Sequence, residues 1–212
     1  FDISSQINNE HEVKFGFRGK IDQLEYQNFN ILRDSITYLT PTILGTETAS
    51  HDYYTKEPLQ FSAYLQDKME FTSMIINVGL RFDYLDPKSV YAPDIFKPTA
   101  NLTDAEPKSI FSPRIGISFP ITDQGIIHFS YGHFYQLPPF RYLYTNPTFE
   151  TFGGTPTYGN ANLNPEKTVT YEIGLQQQLT ESIAINITGF YKDVRDLLAL
   201  QEIRISTSET YL

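Results

Sequence analysis

In a chain of 212 residues without cysteine, chemistry falls first to histidine, the carboxylates and the hydroxyl side chains. The four histidines are His11, His51, His128 and His133. None has a partner at the spacing of a zinc site. His128 and His133 differ by an odd number of residues, so on one strand they point to opposite faces. The lack of cysteine removes a disulfide framework, a CxxC redox pair and a cysteine-based zinc site. There is no GxSxG elbow, no phosphate loop and no dinucleotide glycine fingerprint. His133 beside Asp83 or Asp86 would suit hydrolysis, but nothing in the spacing brings them together. The chain reads as a non-enzyme with no cofactor and no metal.

Ligand binding is better provided for. The stretch 27–56 contains Tyr38, His51, Tyr53 and Tyr54. The stretch 139–164 contains Arg141, Tyr142, Tyr144, Phe149, Phe152 and Tyr158. Tyrosine combines an apolar face with a polar tip and loses little entropy when held. The run Phe140-Arg141-Tyr142-Leu143-Tyr144 could grip a peptide, a sugar or a partner protein. The competing use of the same rings is to pack the loops onto one another and onto the rim that carries them.

The elements that must position these loops show a period of two. In residues 12–21, Val13, Phe15, Phe17 and Ile21 fall on one face, and Glu12, Lys14, Arg18 and Lys20 on the other. The same split recurs over eight segments: 1–8, 10–26, 57–71, 73–86, 111–121, 125–137, 166–180 and 182–198. Most exceed the usual length of a globular strand, about 5–6 residues. A membrane strand needs about 9–11 residues in lipid. The connections alternate, short near 8–10, 70–73, 122–125 and 180–182, long through 27–56, 87–110 and 139–164. Short and long connections in turn are the habit of a transmembrane barrel, with tight periplasmic turns and long extracellular loops.

Composition agrees. No run of about 18 apolar residues is present, so no membrane helix is expected. The formal charge of −9 argues against nucleic acid, which calls for a basic patch. Tyr26, Phe29, Tyr84, Tyr91, Tyr135, Phe140, Tyr171 and Tyr191 lie near strand ends, where interfacial girdles form. At one rim, Glu166 and Lys167 are placed to pair. The first residues show no leader pattern. The chain begins mid-pattern at Phe1 and ends after a polar stretch, which reads as a portion of a larger barrel. The expected fold is thus all-β, an antiparallel transmembrane β-barrel domain over 1–212, contributing about eight strands.

Three segments carry a family resemblance. Phe111-Ser112-Pro113-Arg114-Ile115-Gly116-Ile117-Ser118 resembles the SPRIGxS strand of TonB-dependent outer-membrane receptors. Phe129-Ser130-Tyr131-Gly132-His133-Phe134-Tyr135-Gln136-Leu137-Pro138 resembles the strand that follows it in that family. Asn164-Pro165-Glu166-Lys167-Thr168-Val169-Thr170-Tyr171-Glu172-Ile173-Gly174-Leu175 is similar to its PEKxxxYEIGL element, and Gly189-Phe190-Tyr191-Lys192-Asp193-Val194 continues it. The likeness is concentrated in 111–198.

The resemblance implies a 22-stranded bacterial outer-membrane barrel, plugged by an N-terminal domain. It implies nutrient uptake driven by the TonB–ExbB–ExbD complex, with outer-membrane lipids around the wall. The plug, the TonB box and the last barrel strand are not in this chain. The alternatives are a barrel subunit held in a complex with a surface lipoprotein or another outer-membrane protein, and a passive porin.

Overall fold

A computed structural model describes residues 1–33, 41–150 and 156–202. Fourteen strands and one short helix follow in chain order. They are β1 Asp2–Gln6, β2 His11–Ile21, β3 Leu24–Phe29, β4 Ile31–Arg33, β5 Pro41–Ile43, β6 His51–Lys56 and β7 Leu59–Phe71. Then come β8 Met74–Asp86, β9 Val90–Tyr91, β10 Thr103–Asp104, β11 Lys108–Thr122, β12 Gly125–Gln136, α1 Phe140–Tyr144, β13 Glu166–Thr180 and β14 Ile183–Arg195. Eight of them form one antiparallel sheet in the order β1-β2-β7-β8-β11-β12-β13-β14. It is open, with β1 and β14 as its edges. The eight long segments read from alternation are these eight strands. Among the described residues, no helix is long and apolar enough to cross a membrane.

The register keeps the two faces apart across the whole sheet. Val13, Asp67, Val78, Ile115, Tyr131, Tyr171 and Tyr191 pair in one continuous row. The adjacent row on the opposite face runs Glu12, Lys68, Asn77, Gly116, Ser130, Glu172 and Phe190. A one-residue slip of any strand would exchange the faces, so this pattern pins the register. Phe15, Leu65, Leu80, Phe129 and Ile187 are exposed on the apolar face. On the polar face, two glycines make room for neighbours. A Cβ at Gly16 would run into the Tyr64 ring, and one at Gly174 into the His128 imidazole.

The short connections are tight turns. Asn8 closes the first, its Oδ1 accepting from the backbone N–H of Glu10 and His11. Two residues join β7 to β8, β11 to β12 and β13 to β14. The long connections are more ordered than their composition suggests. β3 pairs with β6, β4 with β5, and β9 with β10, each as a separate two-stranded sheet. The strand expected over 10–26 therefore stops at Ile21. There Asp22 takes the Lys20 ammonium at 2.7 Å, and the chain turns into the β3–β6 hairpin.

Two smaller expectations also change. Tyr84 and Tyr135 sit on the apolar face near the long-loop strand ends, while Tyr171 and Tyr191 share that face nearer the middle of their strands. Tyr26 and Phe29 lie on the loop hairpin, Tyr91 in β9 and Phe140 in α1, away from any girdle. Glu166 and Lys167 do not pair. As adjacent strand residues they point to opposite faces, and the Lys167 ammonium lies 5.9 Å over the Tyr135 ring.

Candidate functional site

The site is built where two long loops meet above the sheet. Pro139 has φ −54°, suited to a helix start, and α1 follows. This helix turns Leu143 and Tyr144 inward. They meet Tyr54 from β6 and Leu85 from β8 in a buried cluster, flanked by Leu24, Leu137, Phe140 and Leu163. Tyr144 is 1% exposed, and its hydroxyl donates to the Pro87 carbonyl at 2.8 Å. The Tyr54 ring stacks on Tyr26 at 5.1 Å and meets Tyr144 edge-on at 5.8 Å. Phe140 stacks on Tyr144 at 5.9 Å. Tyr54 and Tyr144 thus pack the roof and offer little free surface to a ligand.

A polar tie locks the same contact. The Asp52 carboxylate accepts from the Asn146 backbone N–H at 3.0 Å, joining residues 94 apart in sequence. Asn146 has φ 48°, the left-handed region that asparagine tolerates. Its side chain donates to the Glu150 carbonyl and accepts from the Glu150 N–H. Burial acts on the ionisable groups here. It raises the Asp52 carboxyl despite the Asn146 N–H, pushes the Tyr54 hydroxyl up to about 12, and lowers Lys56. Burial also raises Tyr144 and Tyr158. These shifts are the cost of placing polar groups in an apolar roof.

Two openings flank this roof. The first, about 200 Å³, lies between the β6 hairpin and the chain after α1, lined by Thr46, Thr48, His51, Asp52, Tyr53 and Asn146. The His51 ring donates from Nδ1 to the Leu44 carbonyl at 2.8 Å and accepts at Nε2 from the Gln27 amide at 2.9 Å. With both nitrogens engaged in hydrogen bonds, neither is turned toward the opening as a metal ligand. Tyr53 is 45% exposed, with its hydroxyl 3.4 Å from Glu25. The second opening, about 470 Å³, lies on the polar face of the sheet, lined by Arg18, Lys20, Gln60, Ser62, Arg81 and Asp83, with Leu137 at its edge. Arg81 is held by Asp83 through two bonds, at 2.7 and 2.6 Å. Arg18 has no ion-pair partner among the described residues.

The residues expected to contact a ligand therefore divide. His51 and Tyr53 share the first opening. Arg141 lies 4.4 Å over the Tyr142 ring on the outer side of α1. Tyr158 packs against Phe149 at 5.5 Å. Tyr38 and Phe152 lie outside the described residues. Sequence reasoning missed Asp52, Asn146 and Gln27, whose partners come from other loops or the far side of a hairpin. It also gave no site role to Arg18, though the alternation put it on the polar face, nor to Arg81, which the register places there too. His133 and Asp83 lie on opposite faces, and His133 bonds the Tyr131 hydroxyl at 2.6 Å. Among the described residues, no three histidine or acidic side chains gather as metal ligands.

Comparisons with known proteins agree with this architecture. The structure is similar to the FrpB iron transporter from Neisseria meningitidis (F3-3 variant), with a TM-score of 0.64 and 14% identity over 96% of this chain and 28% of that one. The copper transporter OprC gives 0.62 at 14% identity, over 89% of this chain and 28% of that one. A mutant of the ferric enterobactin receptor PfeA from Pseudomonas aeruginosa gives 0.60 at 17% identity, over 92% of this chain and 26% of that one. At such identities the likeness speaks for the fold, and the chain spans about 26–28% of these neighbours. No curated protein matches. The family model described as TonB dependent receptor-like, beta-barrel, matches residues 1–211, and the chain belongs to that family.

Proposed function

We propose that this chain forms part of the wall and outer mouth of a receptor that imports a scarce nutrient across the bacterial outer membrane, driven by TonB–ExbB–ExbD. The family is one of outer-membrane receptors, generally not enzymes. The observation that carries the reading is the roof of docked loops beside a polar opening of about 470 Å³. A passive pore has no need of a roof whose rings and backbone groups are this closely satisfied. In this reading the long loops face outward and the short turns face the periplasm. Further strands close the sheet, because open edges invite pairing with other chains. A plug and TonB box belong to the rest of the protein. Cargo is met by Tyr53, Arg141, Tyr142 and Tyr158 at the mouth, with Tyr38, His51 and Phe152 on the same loops, and by Arg18 on the wall. Tyr54 and Tyr144 support them from beneath. The nearby proteins named for iron, copper and ferric enterobactin suggest metal complexes as the first cargoes to try.

Sidedness has a direct assay, because the chain contains no cysteine. Single cysteines at Tyr53 and at Asp123 are treated on intact cells with a membrane-impermeant maleimide. Labelling of Tyr53→Cys but not Asp123→Cys is expected, and the reverse would overturn the orientation. Uptake of ferric siderophore and of copper is then measured with the full-length receptor, with and without TonB. Uptake that persists without TonB would sink the receptor reading in favour of a passive pore.

A further inference from the structure

The apolar face is indented where β11 to β14 lie side by side. A Cβ at Gly189 would meet only Ile173 Cγ2, at 3.8 Å, so the glycine leaves a gap. With Ile115, Ile117, Phe129 and Ile173 as walls, the gap opens into a groove of about 530 Å³. Toward the long-loop end the groove is bounded by a ladder of Tyr131, Tyr171 and Tyr191, with ring centroids 5.0 and 6.2 Å apart. Beyond the ladder on the same face, Lys167 stands directly across from Arg195.

Two like charges directly opposite on one face of a sheet are destabilising. Among the described residues, one carboxylate on this face bonds to them, and Asp196, just past the end of β14, adds a weaker attraction for Arg195. Asp193 accepts two bonds from Arg195, at 2.9 and 2.6 Å. Glu166 and Lys192 point to the other face, and the nearby His133 is bonded to Tyr131. Lys167 is left without an ion-pair partner among the described residues, on an apolar surface.

The depth fits a lipid. Lys167 stands six residues before Ile173 on β13. At about 3.3 Å per residue and a strand tilt of about 40°, that is ~15 Å along the membrane normal. This is half of a hydrocarbon core of about 30 Å. With the floor of the groove near mid-membrane, the two cations lie at the edge of the hydrocarbon, within side-chain reach of lipid phosphates. We propose that the outer surface of β12, β13 and β14 holds an anionic, phosphate-bearing membrane lipid. One acyl chain fills the gap at Gly189, and the phosphate bridges Lys167 and Arg195. Which leaflet supplies the lipid rests on the orientation proposed above; the binding itself does not.

The full-length receptor, in phosphatidylcholine nanodiscs doped with phosphatidylglycerol, is released and its retained lipids are read by native mass spectrometry. The wild type is expected to retain phosphatidylglycerol preferentially. The Lys167→Gln, Arg195→Gln double variant is expected to lose that preference by about tenfold or more. Gly189→Leu keeps the cations, fills the groove and lowers retention of both lipids. Lys14→Gln removes a charge from the polar face and leaves the preference intact. Heat-modifiable gel mobility confirms that each variant has assembled. A wild type without preference, or a preference surviving the double variant, overturns the proposal. Uptake does not enter this readout, so failure here leaves the transport reading standing, and failure of transport leaves the lipid site standing.

Discussion

At the scale of single residues, Tyr144 joins two roles that substitution can separate. Tyr144→Phe keeps the ring but leaves the buried Pro87 carbonyl unbonded, at a cost of about 1–3 kcal/mol to loop docking. Tyr144→Ala empties the cluster, at a cost of about 3–5 kcal/mol. Limited proteolysis of the β6 loop is expected to rank wild type, Phe and Ala in that order of resistance, with the barrel still folded. Asp52 makes a pH-dependent contribution of definite sign. Its folded pKa is raised, so its stabilising share is complete below the ordinary value of 3.8 and lost as pH rises through the folded value. Lys56, lowered by burial, changes only at the alkaline end. Hydrogen exchange, corrected for intrinsic rates, should show residues 51–56 better protected near pH 4 than near pH 7, and Asp52→Asn should flatten that difference. An opposite sign in the part of the slope that Asp52→Asn removes would exclude a desolvated carboxyl. That Tyr53 is open and Tyr54 buried was not legible beforehand, because the loop around them has no sequence period that says which side will be covered.

At the scale of elements, the long strands were legible for the reason the loops were not. β2, β7, β8 and β11 to β14 each run 11–15 residues, so a period of two repeats often enough to be distinctive. α1 has five residues, little more than one turn, and no amphipathic period can show in it. β3 and β6 pair through ordinary loop residues such as Asn28 and Asp52. The docking of α1 on β6 depends on contacts between two hairpins, which local sequence does not encode. Within the sheet, Gly16 is fixed by its neighbours. Gly16→Val would displace the Tyr64 ring and break the 2.8 Å bond from its hydroxyl to Asp2. The expected cost is about 1–3 kcal/mol, read as a lower heat-modifiability midpoint of the assembled barrel. An unchanged midpoint would show that Tyr64 moves aside freely.

At the scale of the whole molecule, the face assignment makes opposite demands on neighbouring residues. Ile173 and Glu172 are adjacent on β13 and point to opposite sides. Ile173→Lys, on the lipid side near mid-membrane, is expected to cost about 2–4 kcal/mol and reduce the assembled fraction. Glu172→Lys, on the polar side, is expected to assemble normally. Equal effects of the two would contradict a membrane-facing apolar surface. One pair already tests the rule. His11 and Asp67 lie on the apolar face but bond each other at 2.8 Å, close to the first short turn, where the headgroup region begins. Polar groups are tolerated on such a face when paired and near its margin.

The bond between Asp52 and Asn146 also records a history. It joins a hairpin formed between the second and third long strands of the sheet to one formed between the sixth and seventh. From whichever end the wall is laid down, neither loop can dock until the strands that carry the other are beside it. A spectroscopic probe placed across the tie would therefore act as a clock for barrel biogenesis, silent until the second through the seventh strands of the sheet are in place.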